Sequence, residues 1–261
     1  MDWDVEDERP RYRLCGTGFA LLGLALGLLC IDGMLDLASL FTGHPAVHAL
    51  REDRLWTWLV GAPITWGSLI GSLLLLGRWP EATWRRRAGL LALMNSVDLV
   101  SWFLSHNEDL GLGLGRIPHP WLRMHVTMAL GWAELSLIAA LAGDVSTRLG
   151  MGPARDAARA ARAFAIFGAL AWGFWFLGQT RWSRWPLGPR GLTPETLVAM
   201  VGSLLLLVVT SFQVTVLCIL ASRQCRQVVR DLNRQADGHD LLRSRSELAW
   251  EEDPWHPPAS L

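Results

Sequence analysis

The sequence predicts an all-α fold, a polytopic integral membrane helical bundle of six transmembrane helices in an N-in/C-in arrangement. Hydrophobic residues make up 51% of the 261 positions, and the mean hydropathy is +0.25. These residues come in long blocks, and a block of about 20 apolar residues is enough to cross a bilayer as a helix. The placement of arginine between the blocks then predicts the orientation.

The six predicted spans follow one another along the whole chain. They are residues 14–35, 56–76, 88–105, 121–142, 163–178 and 193–221. The first five suit one crossing with modest tilt, whereas the sixth is long enough to tilt strongly or to leave the membrane. Pro63 should kink or loosen the second span, because proline has no backbone N–H to donate. Gly23 with Gly27, and Gly67 with Gly71, have the spacing that lets two helices approach closely.

Arginine supplies every basic side chain, since the 24 Lys+Arg residues include no lysine. The arginines concentrate on the side of the N-terminus, in stretches such as "TWRRRAG" and "PARDAARAAR", which places that side in the cytoplasm. The second stretch should form a short basic helix at the membrane surface. Trp79 and Trp84 are expected to act as interfacial anchors. Without lysine, the chain has no Schiff-base nucleophile and no Walker phosphate loop.

Three regions follow from these spans. Residues 1–13 form a cytoplasmic N-terminal segment, and residues 14–221 form the six-helix transmembrane domain. Residues 222–261 form a cytoplasmic tail that is helical at first and disordered later, with the helix expected to stop at Gly238.

A carboxylate in the third span is the strongest functional signal. Asp98 lies within "LLALMNSVDLVSWFL", and a charged side chain at such a depth costs at least ~2.5–3.5 kcal/mol on insertion scales. Asn95 lies three residues earlier on nearly the same helix face. We therefore predict an outward-facing polar pocket among spans one, three and four. Its candidate ligand-binding residues are Asp98, Asn95, His125, Asp32 and Glu134. The alternative interpretation is that Asp98 and Asn95 only hydrogen-bond neighbouring helices together.

The first outer loop contains a weaker candidate for a metal site. Asp36 precedes His44 and His48, and histidine with carboxylate is typical of zinc or copper binding. Pro45 interrupts this segment, and the sequence contains no HExxH motif. No cofactor is predicted.

Three functional hypotheses remain open at this level. The leading one is a non-enzymatic membrane protein whose polar pocket transports or senses a small ligand, an ion or a proton. The second is an accessory or scaffold subunit that contacts a membrane-protein partner or another copy of itself. The third is an outer-facing metal-dependent or redox enzyme. The expected surroundings are the lipid bilayer of a bacterial inner membrane, and no nucleic-acid partner is expected, because the net charge is zero.

Overall fold

The computed structural model describes residues 5–42, 54–76, 79, 81–106, 120–182 and 194–251. These residues form six helices and no strand. The helices are α1 (Val5–Thr42), α2, α3 (Ala82–His106), α4 (Pro120–Arg148), α5 (Gly152–Trp182) and α6 (Pro194–Glu251). Helix α2 is continuous but composite, and it consists of Arg54–Trp56, a π-helical turn at Thr57–Gly61, and Ala62–Leu75.

The predicted class, a helical membrane bundle, is confirmed. Within the described residues, four segments are long and apolar enough to cross a membrane: Glu8–Leu35, Trp58–Leu75, Thr127–Arg148 and Val201–Ala236. They belong to α1, α2, α4 and α6. Helices α3 and α5 are long, but both begin with arginine-rich turns, and α3 also carries Asn95 and Asp98. The six-span count and the N-in/C-in orientation therefore stay predictions.

The helices pack as a closed circuit. Each helix contacts the next along the chain, α1 contacts α6, and α4 also contacts α6. The main core cluster draws on all six helices and includes Phe19, Leu22, Trp132 and Val214. The four cysteines are buried in the described structure and none forms a disulfide, as expected for small apolar side chains in a helical core.

Helix α1 makes the closest backbone contacts in the bundle. A Cβ atom built on Gly18 would lie 2.9 Å from the carbonyl oxygen of Gly71, and one built on Gly71 would lie 2.9 Å from the carbonyl oxygen of Gly18. On the other side of α1, a Cβ on Gly23 would lie 3.2 Å from the Cβ of Cys218 in α6. The glycine spacing predicted close contacts between helices without naming the partners. In the structure, Gly18 of α1 contacts α2 and Gly23 of α1 contacts α6.

The predicted disturbance at Pro63 is present as a π-helical turn immediately before it. In this turn the backbone N–H of Ala62 bonds to the carbonyl of Trp58. The hydroxyl of Thr65 donates to the carbonyl oxygens of Gly61 and Ala62, at 2.9 and 3.1 Å. Pro63 has no N–H to donate to the carbonyl of Leu59, four residues earlier. The Thr65 hydroxyl does not replace that donor, because it bonds to the carbonyls of Gly61 and Ala62.

Helices α4 and α5 form a tight hairpin. Gly150 has a φ of 69°, which favours glycine because it has no Cβ. The N–H of Gly150 bonds to the carbonyl of Thr147, and the N–H of Met151 bonds to the carbonyl of Ser146. These are the two hydrogen bonds of a Schellman motif, which ends α4 and returns the chain directly into α5.

Three predictions about local structure were wrong. The stretch "PARDAARAAR" is not a separate short helix but the start of the 31-residue α5. Helix α6 does not stop at Gly238 but continues to Glu251, and residues 252–261 of the predicted disordered tail lie outside the described residues. Trp79 and Trp84 are buried in protein and are not lipid-facing anchors. The indole N–H of Trp84 donates to the carbonyl of Leu75 at 2.9 Å, so this side chain satisfies the end of α2.

The contact between α1 and α2 can be tested by adding one methyl group. Gly71→Ala should lower the free energy of unfolding by about 1–3 kcal/mol, because the new Cβ would meet backbone that cannot rotate away. The measurement is unfolding of the purified protein in mixed detergent. Gly202→Ala is the matched control, because a Cβ there meets no described atom within 4 Å and the gain in helix propensity is the same. Equal stability of the two variants would contradict this account of the contact.

Candidate binding cavity

A small cavity of about 140 Å³ lies between the helices. Its described lining comes from α1, α2, α3, α4 and α6. The polar lining residues are Thr65, Ser68, Asn95, Asp98, Thr127 and Glu134. The remaining lining is apolar, and Gly131 adds space because a Cβ there would meet no described atom within 4 Å. The cavity is smaller than typical sites for organic ligands, which span roughly 300–1,000 Å³, and it suits a small ion with a few water molecules.

Two carboxylates face this cavity from adjacent helices. Asp98 of α3 and Glu134 of α4 both line it, and they are near enough to interact electrostatically. Glu134 lies at the middle of α4, fourteen residues from each end, and so roughly 21 Å from either end of the helix. No arginine lines the cavity in the described structure. Like charges in a medium of low dielectric repel strongly, so the pair favours a proton or a cation between its members.

The polar atoms around the carboxylates are poorly satisfied. Oε1 of Glu134 is buried and has no hydrogen-bond partner among the described residues. The same holds for Nδ2 of Asn95, a residue with only 3% of its surface exposed. Buried polar groups normally find a partner, since an unmet one costs about 1–3 kcal/mol. Two such groups at one cavity are typical of a site that accepts something polar.

Helix periodicity brings these residues together. Asn95 and Asp98 are three residues apart, and Gly131 and Glu134 have the same spacing on the facing helix. The polar face of α3 therefore borders the same cavity as Glu134, beside the space that Gly131 leaves on α4. The predicted residues Asn95, Asp98 and Glu134 therefore share one lining, with α1 contributing the apolar wall of Ala25, Leu26 and Leu29.

The sequence prediction did not include the hydroxyl side of the cavity. Thr65 and Ser68 lie three residues apart on α2, and Thr127 lies on α4. Serine and threonine are common in membrane helices, so the presence of these residues did not by itself indicate a binding site. The available signal was their i,i+3 spacing, which places both hydroxyls on one face of the helix.

Asp32 occupies a different position from the one predicted. It is not among the described residues that line the cavity, and its Oδ1 accepts a hydrogen bond of 3.4 Å from the indole of Trp56. This contact ties α1 to the beginning of α2. The sequence predicted Asp32 in the pocket because Asp32 and Asp98 lie at similar depths, about 6 and 10 Å from the outer ends of their predicted spans. Depth along a helix, however, does not determine the face on which a side chain lies.

The remaining predicted residues lie outside the described part of the structure. His125 belongs to α4, but its side chain is not described, and the same is true of Asp36 in α1. His44 and His48 lie between the described ranges. Among the side chains that are described, no group of three or more His, Cys, Asp or Glu residues is placed to hold a metal ion.

Comparisons of the chain with protein-family models, with curated proteins and with solved structures found no match. The cavity and its side chains are therefore the basis for inferring what the protein does.

The effect of Glu134 on the free energy of unfolding distinguishes a binding site from a contact that only holds helices together. Glu134→Met keeps a long flexible side chain and removes the carboxylate, so it should raise the free energy of unfolding by about 1–3 kcal/mol. The measurement is unfolding in mixed detergent. Thr210→Val is the control, because Thr210 also carries a buried hydroxyl without a described partner but lies outside the cavity lining.

A loss of stability of the same size in Glu134→Met would contradict this expectation. It would show that Glu134 joins helices together, as the structural interpretation of Asp98 and Asn95 requires.

Proposed function

We propose that the protein binds a small cation inside the membrane bundle, between Asp98 and Glu134, as a step in transporting or sensing that cation. A proton occupies the site when no other cation is bound. The observation that carries this proposal is the buried, unpartnered Oε1 of Glu134 beside a second carboxylate in one cavity. Ionisable residues inside membranes commonly mark ion pathways or proton relays, because their cost is otherwise not offset.

Each lining group has a role in this proposal. The two carboxylates supply negative charge, which a desolvated cation needs, and the hydroxyls of Ser68 and Thr127 supply neutral oxygen ligands. Asn95 offers both a carbonyl oxygen for the cation and an amide for a carboxylate. The apolar wall from α1 and Leu207 of α6 excludes bulk water and so strengthens the electrostatic attraction.

The net charge of the site is the same whether it holds a proton or a monovalent metal cation. When Na⁺ or K⁺ enters between the carboxylates, the proton that neutralised one of them leaves to solvent. The site then holds two ionised carboxylates and one metal cation. Binding therefore couples the movement of the cation to release of a proton, which is the elementary step of both cation–proton exchange and ion-dependent sensing.

This proposal assigns the chain to the non-enzymatic proteins. It also places the chain, as a multi-pass protein, in a bacterial inner membrane. The four long apolar segments of the described residues, and the arginines concentrated on one side of the predicted spans, support a membrane location.

Proton release on cation binding tests the proposal directly. Addition of NaCl or KCl to the weakly buffered, detergent-solubilised protein should release up to about one proton per chain, which a pH-indicator dye reports. Asp98→Asn and Glu134→Gln should each weaken the response about tenfold or more, since a loss of 1.4 kcal/mol in binding is a factor of ten. Asp156→Asn is the matched control, because Asp156 is an exposed carboxylate outside the cavity.

Choline chloride at the same concentrations controls for ionic strength, because choline is too large for this cavity. The wild-type protein should respond to Na⁺ or K⁺ and not to choline. An absence of release from the wild type, or an equal response from Glu134→Gln, would overturn the proposal.

A further inference from the structure

A second polar site lies at the C-terminal end of α4, where the α4–α5 hairpin meets the start of α3. It is a groove of about 450 Å³, well within the range of small-molecule sites. Its charged lining residues are Glu81, Arg87, Asp144, Arg148, Arg155, Arg159 and Arg162. Five arginines and two carboxylates give this lining a formal charge of +3.

Both carboxylates of the groove are already paired. Asp144 accepts a hydrogen bond of 2.5 Å from Nη1 of Arg87, which ties α4 to α3. Glu81 forms an ion pair with Arg148, whose guanidinium also lies over the ring of Trp79 at 4.1 Å from its centroid. Because these two acids are engaged by Arg87 and Arg148, they leave the positive charge of α5 uncompensated.

The three remaining arginines lie on one face of α5. Arg155, Arg159 and Arg162 follow an i, i+4, i+7 pattern, and all three line the groove. Arg155 and Arg162 form no ion pair within the described part of the chain. Arg159 contacts Asp156 at 3.6 Å, but these two side chains are 63% and 73% exposed, so water screens the pair.

The floor and position of the groove indicate the chemistry of its ligand. Ala139, Ala140, Gly143 and Ala158 form a small-residue floor between the helices. By sequence, the charged lining precedes the third predicted span, follows the fourth and precedes the fifth, which places it at the membrane edge. The arginine fork matches the oxygens of a phosphate group in a bidentate geometry.

We propose that this groove binds a phosphate ester through Arg155, Arg159 and Arg162. The ester is either the headgroup of an anionic phospholipid or a soluble phosphate compound, and both present the same tetrahedral anion. The two acids of the groove do not compete for these arginines, because Asp144 pairs with Arg87 and Glu81 pairs with Arg148.

The test measures binding of phosphatidylglycerol and of glycerol 3-phosphate to the full chain in detergent. Native mass spectrometry reports bound lipid, and titration calorimetry reports the soluble ester. A triple variant, Arg155→Gln with Arg159→Gln and Arg162→Gln, should bind roughly fivefold more weakly for each arginine removed. The control triple replaces Arg223, Arg226 and Arg230, which are exposed on α6 and outside the groove, and it removes the same charge.

The outcomes separate the two sources. Loss of phosphatidylglycerol in the α5 triple only, with no displacement by millimolar glycerol 3-phosphate, identifies a lipid site. Calorimetric binding of glycerol 3-phosphate that depends on the same arginines identifies a soluble ligand. Equal binding of each probe by the two triples would overturn the proposal.

If the α5 triple does not fold, Arg155→Gln and Arg162→Gln singly should each weaken binding, and Arg223→Gln should not.

Discussion

The close backbone contact of α1 with α2 sets the spacing on which the rest of the bundle depends. In a membrane the hydrophobic effect does not draw helices together, so association depends on packing and on polar contacts between them. Gly18 and Gly71 let the two backbones meet, and Gly23 lets α6 approach the opposite side of α1. With its neighbours held at these distances, α1 presents Ala25, Leu26 and Leu29 to the cavity one to three turns further along.

The bundle handles its polar side chains in two opposite ways. At the end of α4 near α5, acids are matched to arginines, an aromatic ring lies beneath one guanidinium, and the excess charge is cationic. In the interior the excess is anionic, and the acids face each other without a described basic partner. Helix α4 carries both arrangements, with Glu134 and Asp144 separated by ten residues, or about 15 Å along its axis. A change in how α4 sits against α3 therefore alters both sites.

Hydropathy was sufficient for the class of fold, because long apolar blocks have few other stable forms. The pairing of Asn95 with Asp98 was also predictable, since one helical turn places both on one face. Depth along each helix did not place Glu134 beside them, because Glu134 lies about 21 Å and Asp98 about 10 Å from the outer ends of their predicted spans. Asp32 shows the limit of that approach, because rotation about the helix axis depends on all neighbours at once. The prediction that Trp79 and Trp84 are interfacial anchors was wrong for a related reason. An interfacial tryptophan and a core tryptophan near the end of a span have the same local sequence.

Helix α6 contains 58 residues, which at a rise of ~1.5 Å per residue makes it nearly three times as long as the ~30 Å hydrocarbon layer is thick. Its membrane segment packs on α1, and the same unbroken backbone continues past Gly238. In a straight helix of this length, any change in the tilt of the segment packed on α1 displaces the far end in proportion to the distance between them.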